Sequence, residues 1–104
     1  MELTVLAVPG CPNAPALRER LAEALAGYPA VPVARQVITD AAGAAAWGMH
    51  GSPTLLVNGK DPFAVPGTPP ALACRLYRDE DGSLQGAPSV PALRRALEHA
   101  CDRG

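Results

Sequence analysis

The sequence predicts a single α/β domain over residues 1–104, with a four-stranded mixed sheet, helices on both faces and the element order β-α-β-α-β-β-α. Two observations lead to this prediction. Short apolar, β-branched segments alternate with segments of helical periodicity. The length of 104 residues and the hydrophobic content of 48% suit one folded core and disfavour a disordered chain.

The first strand and the first helix flank a cysteine. Residues 3–8 form a short, nearly continuous apolar run, which is typical of a buried strand. Leu17, Leu21 and Leu25 recur at every fourth position and predict an amphipathic helix. Prolines close to the start of this helix are tolerated if Cys11 is its N-cap, because the first helical N–H groups have no intrahelical partner.

Two further strands enclose a short helix. Residues 31–38 are rich in β-branched side chains and predict the second strand. Asp40 is a good N-cap for a helix over residues 41–47. Residues 54–57 then predict a third strand, and the crossovers imply parallel neighbours.

The last part of the chain predicts a hairpin and a helix. Asn58-Gly59 is a strong turn signal, but the prolines that follow predict a long loop over 59–70 before a return strand over 71–78. Ser89 is expected to cap the last helix, whose apolar stripe is Val90, Leu93, Leu97 and Ala100 or Cys101.

Composition and charge exclude several function classes. The net charge is −1 with no basic run, so we expect no nucleic-acid partner. No apolar stretch approaches the ~20 residues of a membrane span, and residues 1–8 lack the pattern of a signal peptide. Three cysteines, an odd number, disfavour a secreted disulfide framework and predict a cytoplasmic location.

Cys11 is the candidate nucleophile. It lies between the first strand and the first helix, where the helix dipole and the unpaired N–H groups stabilise a thiolate. The neighbouring Pro9, Gly10 and Pro12 are expected to hold the sulfur near the surface. An inert, buried cysteine at a strand end is the alternative that this position alone leaves open.

A second segment resembles a known family. Residues 47–59, WGMHGSPTLLVNG, resemble the thioredoxin stretch that leads into its cis-proline and central hairpin. The strand, cysteine and helix at the start resemble the same superfamily, so the resemblance covers nearly the whole chain. It implies that Ser52-Pro53 is cis, lies next to Cys11 and pairs with a substrate's main chain. The substrate-binding residues implied around Cys11 and Pro53 are Pro12, Asn13, Trp47, His50, Ser52 and Thr54.

The chain departs from the thioredoxin pattern at one position. Thioredoxins carry Cys-X-X-Cys, whereas this chain reads Cys11-Pro12-Asn13-Ala14, so Ala14 replaces the resolving cysteine. A lone thiolate can form a mixed disulfide but cannot resolve it from the next helical turn. We therefore expect monothiol exchange with a protein or a low-molecular-weight thiol or disulfide, without a cofactor.

Cys74 is the candidate companion of Cys11. It shares a face with Leu72 and Leu76 on the return strand, which favours a core position. Pairing with Cys11 would need Cα atoms within about 7 Å. The runs GCPNA, PFAVPG and ACRLY are similar to those of short actinobacterial proteins labelled alkylmercury-lyase-like or thioredoxin-like. That resemblance implies an alternative function, soft-metal or organomercurial binding or lyase chemistry at Cys11 and Cys74.

The other candidate residues favour structural roles. His50 is interpreted as a solvated loop histidine, with a role beside the thiolate as the alternative. Trp47 is expected to pack, and Cys101 to pack or to lie on the surface. The cysteines and histidines have no zinc-ligand spacing, so no metal site is predicted. A redox-inactive interaction module that uses the proline-rich loop 61–70 is a third class of function.

Overall fold

The computed structural model describes residues 1–103, and within them it confirms the α/β class with three helices. No helix in this part of the chain is long and apolar enough to cross a membrane. In chain order the elements are β1 (Leu3–Ala7), α1 (Ala14–Ala24), β2 (Val33–Val37), α2 (Ala41–Trp47), β3 (His50–Ser52), β4 (Thr54–Val57), β5 (Ala71–Cys74), β6 (Tyr77–Arg78), β7 (Leu84–Gln85) and α3 (Val90–Arg103).

Strand β1 is the centre of the largest sheet. The strand order is β2-β1-β4, with β2 parallel to β1 in the register Leu3 to Val33. Strand β4 is antiparallel to β1 and places Leu3 opposite Val57. The predicted first crossover is therefore confirmed, whereas the prediction of a second parallel neighbour is wrong.

Alternating side chains of β1 build a core on each face of this sheet. Leu3 and Val5 join a cluster with the leucines of α1 and α3. Leu6 points to the other face, where it packs with Ala44 of α2 and with Leu56 of β4. Since successive strand residues face opposite sides, helices cover both faces, as the sequence predicts.

The predicted four-stranded sheet is wrong in its fourth strand. Asn58 and Gly59 form a tight turn with positive φ values of 53° and 80°, but it leads only to an isolated bridge between Val57 and Lys60. The predicted return strand is instead divided into β5 and β6. Strand β5 pairs in parallel with β3, and β6 pairs antiparallel with β7, because the proline-rich loop carries the chain away from β4.

The helix starts agree with the sequence at two of three positions. Asp40 caps α2 by accepting a hydrogen bond from the Gly43 N–H at 2.7 Å, and Ser89 Oγ accepts from the Ala92 N–H at 3.2 Å at the start of α3. The predicted N-cap of α1 is wrong, because Asn13 and not Cys11 occupies that position. Cys11 lies in the turn that precedes the cap.

We expect truncation of a central leucine to destabilise the protein strongly. Leu55 is fully buried in the sheet, so Leu55→Ala should lower the free energy of unfolding by about 2–5 kcal/mol. Leu84, which is 52% exposed, provides the control, and Leu84→Ala should change it by less than about 0.5 kcal/mol. Urea unfolding measures both, and equal losses would contradict this assignment of the core.

Candidate active site around Cys11

Cys11 lies in the turn between β1 and α1 and is 8% exposed. Its N–H donates to the Val8 carbonyl at 3.2 Å, and its own carbonyl accepts from the Ala14 N–H at 3.4 Å. Ala14, at the position of a resolving cysteine, is buried at the first residue of the helix. Within the described residues, no second thiol therefore lies on the first turn of α1.

Ser52 connects the turn of Cys11 to strand β3. The Val8 N–H donates to Ser52 Oγ at 3.0 Å, across the end of β1. The Ser52–Pro53 peptide bond is cis, as the resemblance to thioredoxin implies. Both residues are buried, so the hydrogen bond from Val8 connects the turn of Cys11 to a segment that solvent does not reach.

The segment after β5 covers the backbone of Ser52 and Pro53. The Arg75 N–H donates to the Ser52 carbonyl at 3.0 Å, and the Tyr77 hydroxyl donates to the Pro53 carbonyl. At Gly51, with φ +114°, a Cβ would lie 2.8 Å from Arg75 Cβ, so only glycine permits this approach. Both carbonyls thus accept hydrogen bonds from the protein itself, and pairing of this segment's backbone groups with a substrate main chain stays a prediction.

A buried ion pair holds this segment in place. Arg75 pairs with Asp61 at 2.6 Å, and the two side chains are only 9% and 6% exposed. The Arg75 guanidinium also donates to Thr54 Oγ1 at 3.1 Å and to the Phe63 carbonyl at 2.8 Å. Thr54 is fully buried and its hydroxyl belongs to this network, while its expected contact with a substrate stays a prediction.

Tyr77 packs against the same network. Its ring lies 4.6 Å below the Arg75 guanidinium carbon and makes an edge contact with Phe63 at 5.6 Å between ring centroids. Burial raises the pKa of the Tyr77 hydroxyl well above its ordinary value, Arg75 opposes the rise, and Asp61 and an ionised Cys11 add to it. The phenol therefore stays protonated and donates to Pro53.

The other two cysteines are on the surface. Cys74 is exposed on β5, opposite Ser52 in the strand register. The expectation of a core position is wrong, because Cys74 is exposed at the last residue of β5, and Leu76, beyond the end of this strand, is exposed as well. Cys101 is exposed on α3, which agrees with the surface alternative. Soft-metal chemistry at Cys11 and Cys74 stays a prediction.

Two predicted neighbours of the thiol have other surroundings. His50 begins β3 and is half-buried, with an Nδ1 atom that is buried and has no hydrogen-bond partner, so its interpretation as a solvated loop residue is wrong. Trp47, the last residue of α2, is 44% exposed and does not pack in the core as expected. Among the described residues, no group of three or more His, Cys, Asp or Glu side chains is placed to hold a metal.

Pro12 and Asn13 lie directly after the thiol. Pro12 is exposed. Asn13 is half-buried beneath the loop before α3, where its side chain lies so close to Gly86 that a Cβ there would clash with it. Arg20 of α1 ties this loop down by donating to the Ala87 carbonyl at 3.0 Å. Of these two predicted contacts, Pro12 is the one that solvent reaches freely.

Sequence reasoning missed Asp61, Arg75 and Tyr77. Each stands in a segment interpreted as a loop or an apolar strand. The sequence signal that could have revealed this network is Arg75, an arginine within the run Ala71 to Tyr77, since a charge in a buried strand needs a partner. The partner could not be identified from the sequence because the loop that brings Asp61 to Arg75 has no periodicity.

We expect Asp61→Asn to be strongly destabilising. The asparagine can still accept from the Phe63 N–H, as Asp61 does at 2.9 Å, but it leaves the Arg75 guanidinium buried without a counter-charge. The loss of unfolding free energy should be about 3–5 kcal/mol. Glu80→Gln breaks the exposed pair with Arg95 and should cost at most about 1 kcal/mol. Similar values for both variants in urea titrations would refute the role of the pair.

We expect the stability of the protein to fall at alkaline pH through Tyr77. Because the pKa of Tyr77 is raised in the folded state, only the unfolded chain ionises this hydroxyl just above pH ~10, which favours unfolding. Above pH ~10 the free energy of unfolding should therefore fall as the pH rises. The fall should be steeper than in Tyr77→Phe, which has no hydroxyl to ionise, by up to about 1.4 kcal/mol per pH unit. Unfolding free energies from pH 8 to 11 test this, and parallel curves for the two proteins would contradict it.

Comparisons with known proteins identify no relative of the chain. No protein-family model, curated protein or solved structure matches it. The resemblance to thioredoxin therefore rests on the residues around Cys11 and Pro53 and on the order of the elements.

Proposed function

We propose that this protein is a monothiol of thioredoxin-like fold that forms mixed disulfides through Cys11. The observation that carries the proposal is the placement of Cys11 at the junction of β1 and α1, lining a surface hollow. A thiol near the start of a helix is favoured as the thiolate by the helix dipole. The absence of a thiol at Ala14 limits the chemistry to exchange with external thiols.

The arrangement of the elements supports the thioredoxin-like fold. A strand, Cys11, a helix, a second strand, a second helix, Pro53 and a further strand follow one another in the order that the resemblance implies. Helices α1 and α3 lie on one face and α2 on the other. The pairing of β5 with β3 departs from the arrangement that the resemblance implies. It places protein groups against the Ser52–Pro53 backbone, which the resemblance assigns to a substrate.

The exchange needs two external sulfur compounds. The Cys11 thiolate attacks one sulfur of a disulfide R–S–S–R, forms a Cys11–S–S–R bond and expels RS⁻, which takes the electron pair of the broken bond and a proton from water. A low-molecular-weight thiol then attacks the mixed disulfide, forms a new small disulfide and returns Cys11 as the thiolate. Each step conserves one disulfide bond, so no metal or electron carrier is required.

We expect Cys11 to be alkylated faster than either exposed cysteine. Three single-cysteine proteins, which retain only Cys11, Cys74 or Cys101, are treated with iodoacetamide at pH 7, and the rates are followed by mass spectrometry. Cys11 should react at least several-fold faster than N-acetylcysteinamide despite its burial, because the thiolate is the reacting form. The other two should match the reference thiol.

Unfolding provides the control. In urea all three proteins should react at the reference rate, because the helix start no longer exists. A folded Cys11 that reacts no faster than the reference thiol would overturn the proposal, and so would an advantage that persists in urea.

A further inference from the structure

The hollow lined by Cys11 indicates the class of substrate, an inference that rests on the function proposed above. Its volume is about 370 Å³, within the roughly 300–1,000 Å³ of small-molecule sites. It lies between the start of α1 and the carboxyl ends of β1 and β2, and its polar and charged lining includes Arg18, Arg35 and Gln36. The nucleophile and two cations therefore share one small concave surface.

The side chains of Arg18 and Arg35 are available to bind a ligand. Neither guanidinium makes a hydrogen bond or an ion pair with any residue that the structure describes. Arg18 follows Ala14 by four residues on α1, about 6 Å along the helix axis, and Arg35 is opposite Val5 in the β1–β2 register. Two positive charges thus approach the hollow from the helix and from the edge strand.

The arginines also connect this hollow to a second one. The second, of about 500 Å³, is lined by the same Arg18 and Arg35 and extends along α1 and β2 towards Tyr28. No acidic side chain of the described part of the chain lines either hollow. The two arginines are the charged groups among the otherwise largely apolar residues that line both hollows. This pair suits an anionic ligand, since a guanidinium binds a carboxylate with paired hydrogen bonds.

The cis-proline segment is a poor docking edge for a protein substrate. Extended peptides bind by adding their backbone to a strand edge, but the carbonyls of Ser52 and Pro53 are already hydrogen-bonded to Arg75 and Tyr77. Within the described residues the outer edge of β2 is unpaired, and the preference for a small molecule therefore rests on the size of the hollow. The open approach to Cys11 is the hollow on the side of β2. Its dimensions match a small molecule rather than a polypeptide.

We propose that Cys11 reacts with low-molecular-weight disulfides that carry carboxylate groups, and that Arg18 and Arg35 bind those carboxylates. The bound molecule presents its disulfide to the Cys11 thiolate, a new S–S bond forms to Cys11, and the other half leaves as a carboxylate-bearing thiol. The same two arginines then bind the incoming small thiol that releases the mixed disulfide. Both are positioning residues, because the reacting atoms are the three sulfurs.

The test compares three disulfides on the protein in which Cys11 is the only cysteine. The probes are dianionic 5,5′-dithiobis(2-nitrobenzoate), neutral bis(2-hydroxyethyl) disulfide and cationic cystamine. Every rate is divided by that of N-acetylcysteinamide with the same probe, which removes differences in leaving-group reactivity. We expect the normalised rates to fall in the order anionic, neutral, cationic, and the preference to shrink in 1 M salt, where screening acts over about 3 Å.

Substitutions of Arg18 and Arg35 test whether these two residues cause the preference for the anionic probe. Arg18→Gln/Arg35→Gln should slow the anionic probe by about 10- to 100-fold, the loss expected for hydrogen bonds to a charged group, and leave the neutral probe within twofold. Arg94→Gln/Arg95→Gln removes the same charge from exposed positions on α3 and should change neither. Arg18→Lys/Arg35→Lys should restore part of the anionic rate, because the charge returns without the planar fork.

Each outcome decides a different part of the proposal. Equal normalised rates for the three probes overturn the anion site while leaving mixed-disulfide chemistry intact. An equal loss with every probe in the glutamine variant also overturns it, because the arginines would then act only on the structure around the thiol. A folded Cys11 that reacts with none of the probes refutes the proposed function itself.

Discussion

The ion pair between Arg75 and Asp61 is the interaction on which the arrangement of the site depends. It joins the loop after β4 to the segment after β5, and through Thr54 it reaches the residue that follows Pro53. A buried guanidinium is costly unless its charge and its N–H groups are all matched, and here a carboxylate, a hydroxyl and a carbonyl match them. The path of the chain from Asp61 to Tyr77 is therefore constrained by this ion pair as well as by the pairing of β5 with β3.

The ion pair also determines which groups contact the backbone carbonyls of Ser52 and Pro53. With Arg75 fixed, its N–H bonds the Ser52 carbonyl, and Tyr77 is placed to bond the Pro53 carbonyl. Both carbonyls are thereby occupied by protein groups, whereas Cys11 lines the hollow beside β2. The proposed preference for small substrates therefore depends in part on the ion pair that holds this segment in place.

The sequence was sufficient for those features that depend on local pattern. The positions of β1, α2 and β4, the caps at Asp40 and Ser89 and the place of Cys11 follow from periodicity and capping residues, which act over a few residues. The pairing of β5 with β3, the burial of Thr54 and the exposure of Cys74 could not be predicted. They depend on Asp61 meeting Arg75, a contact between segments 14 residues apart that are separated by a loop without periodicity.

The start of α1 explains why a substrate anion would need arginines. A helix N-terminus ordinarily binds anions through its free N–H groups, but here Pro15 has none and the Ala14 N–H is used by the Cys11 carbonyl. Pro12 removes a further donor next to the thiol. Few backbone donors therefore remain at this helix start for a negatively charged group. Arg18 and Arg35 line the hollow beside Cys11, and they are the side-chain donors that the proposed carboxylate site would use instead.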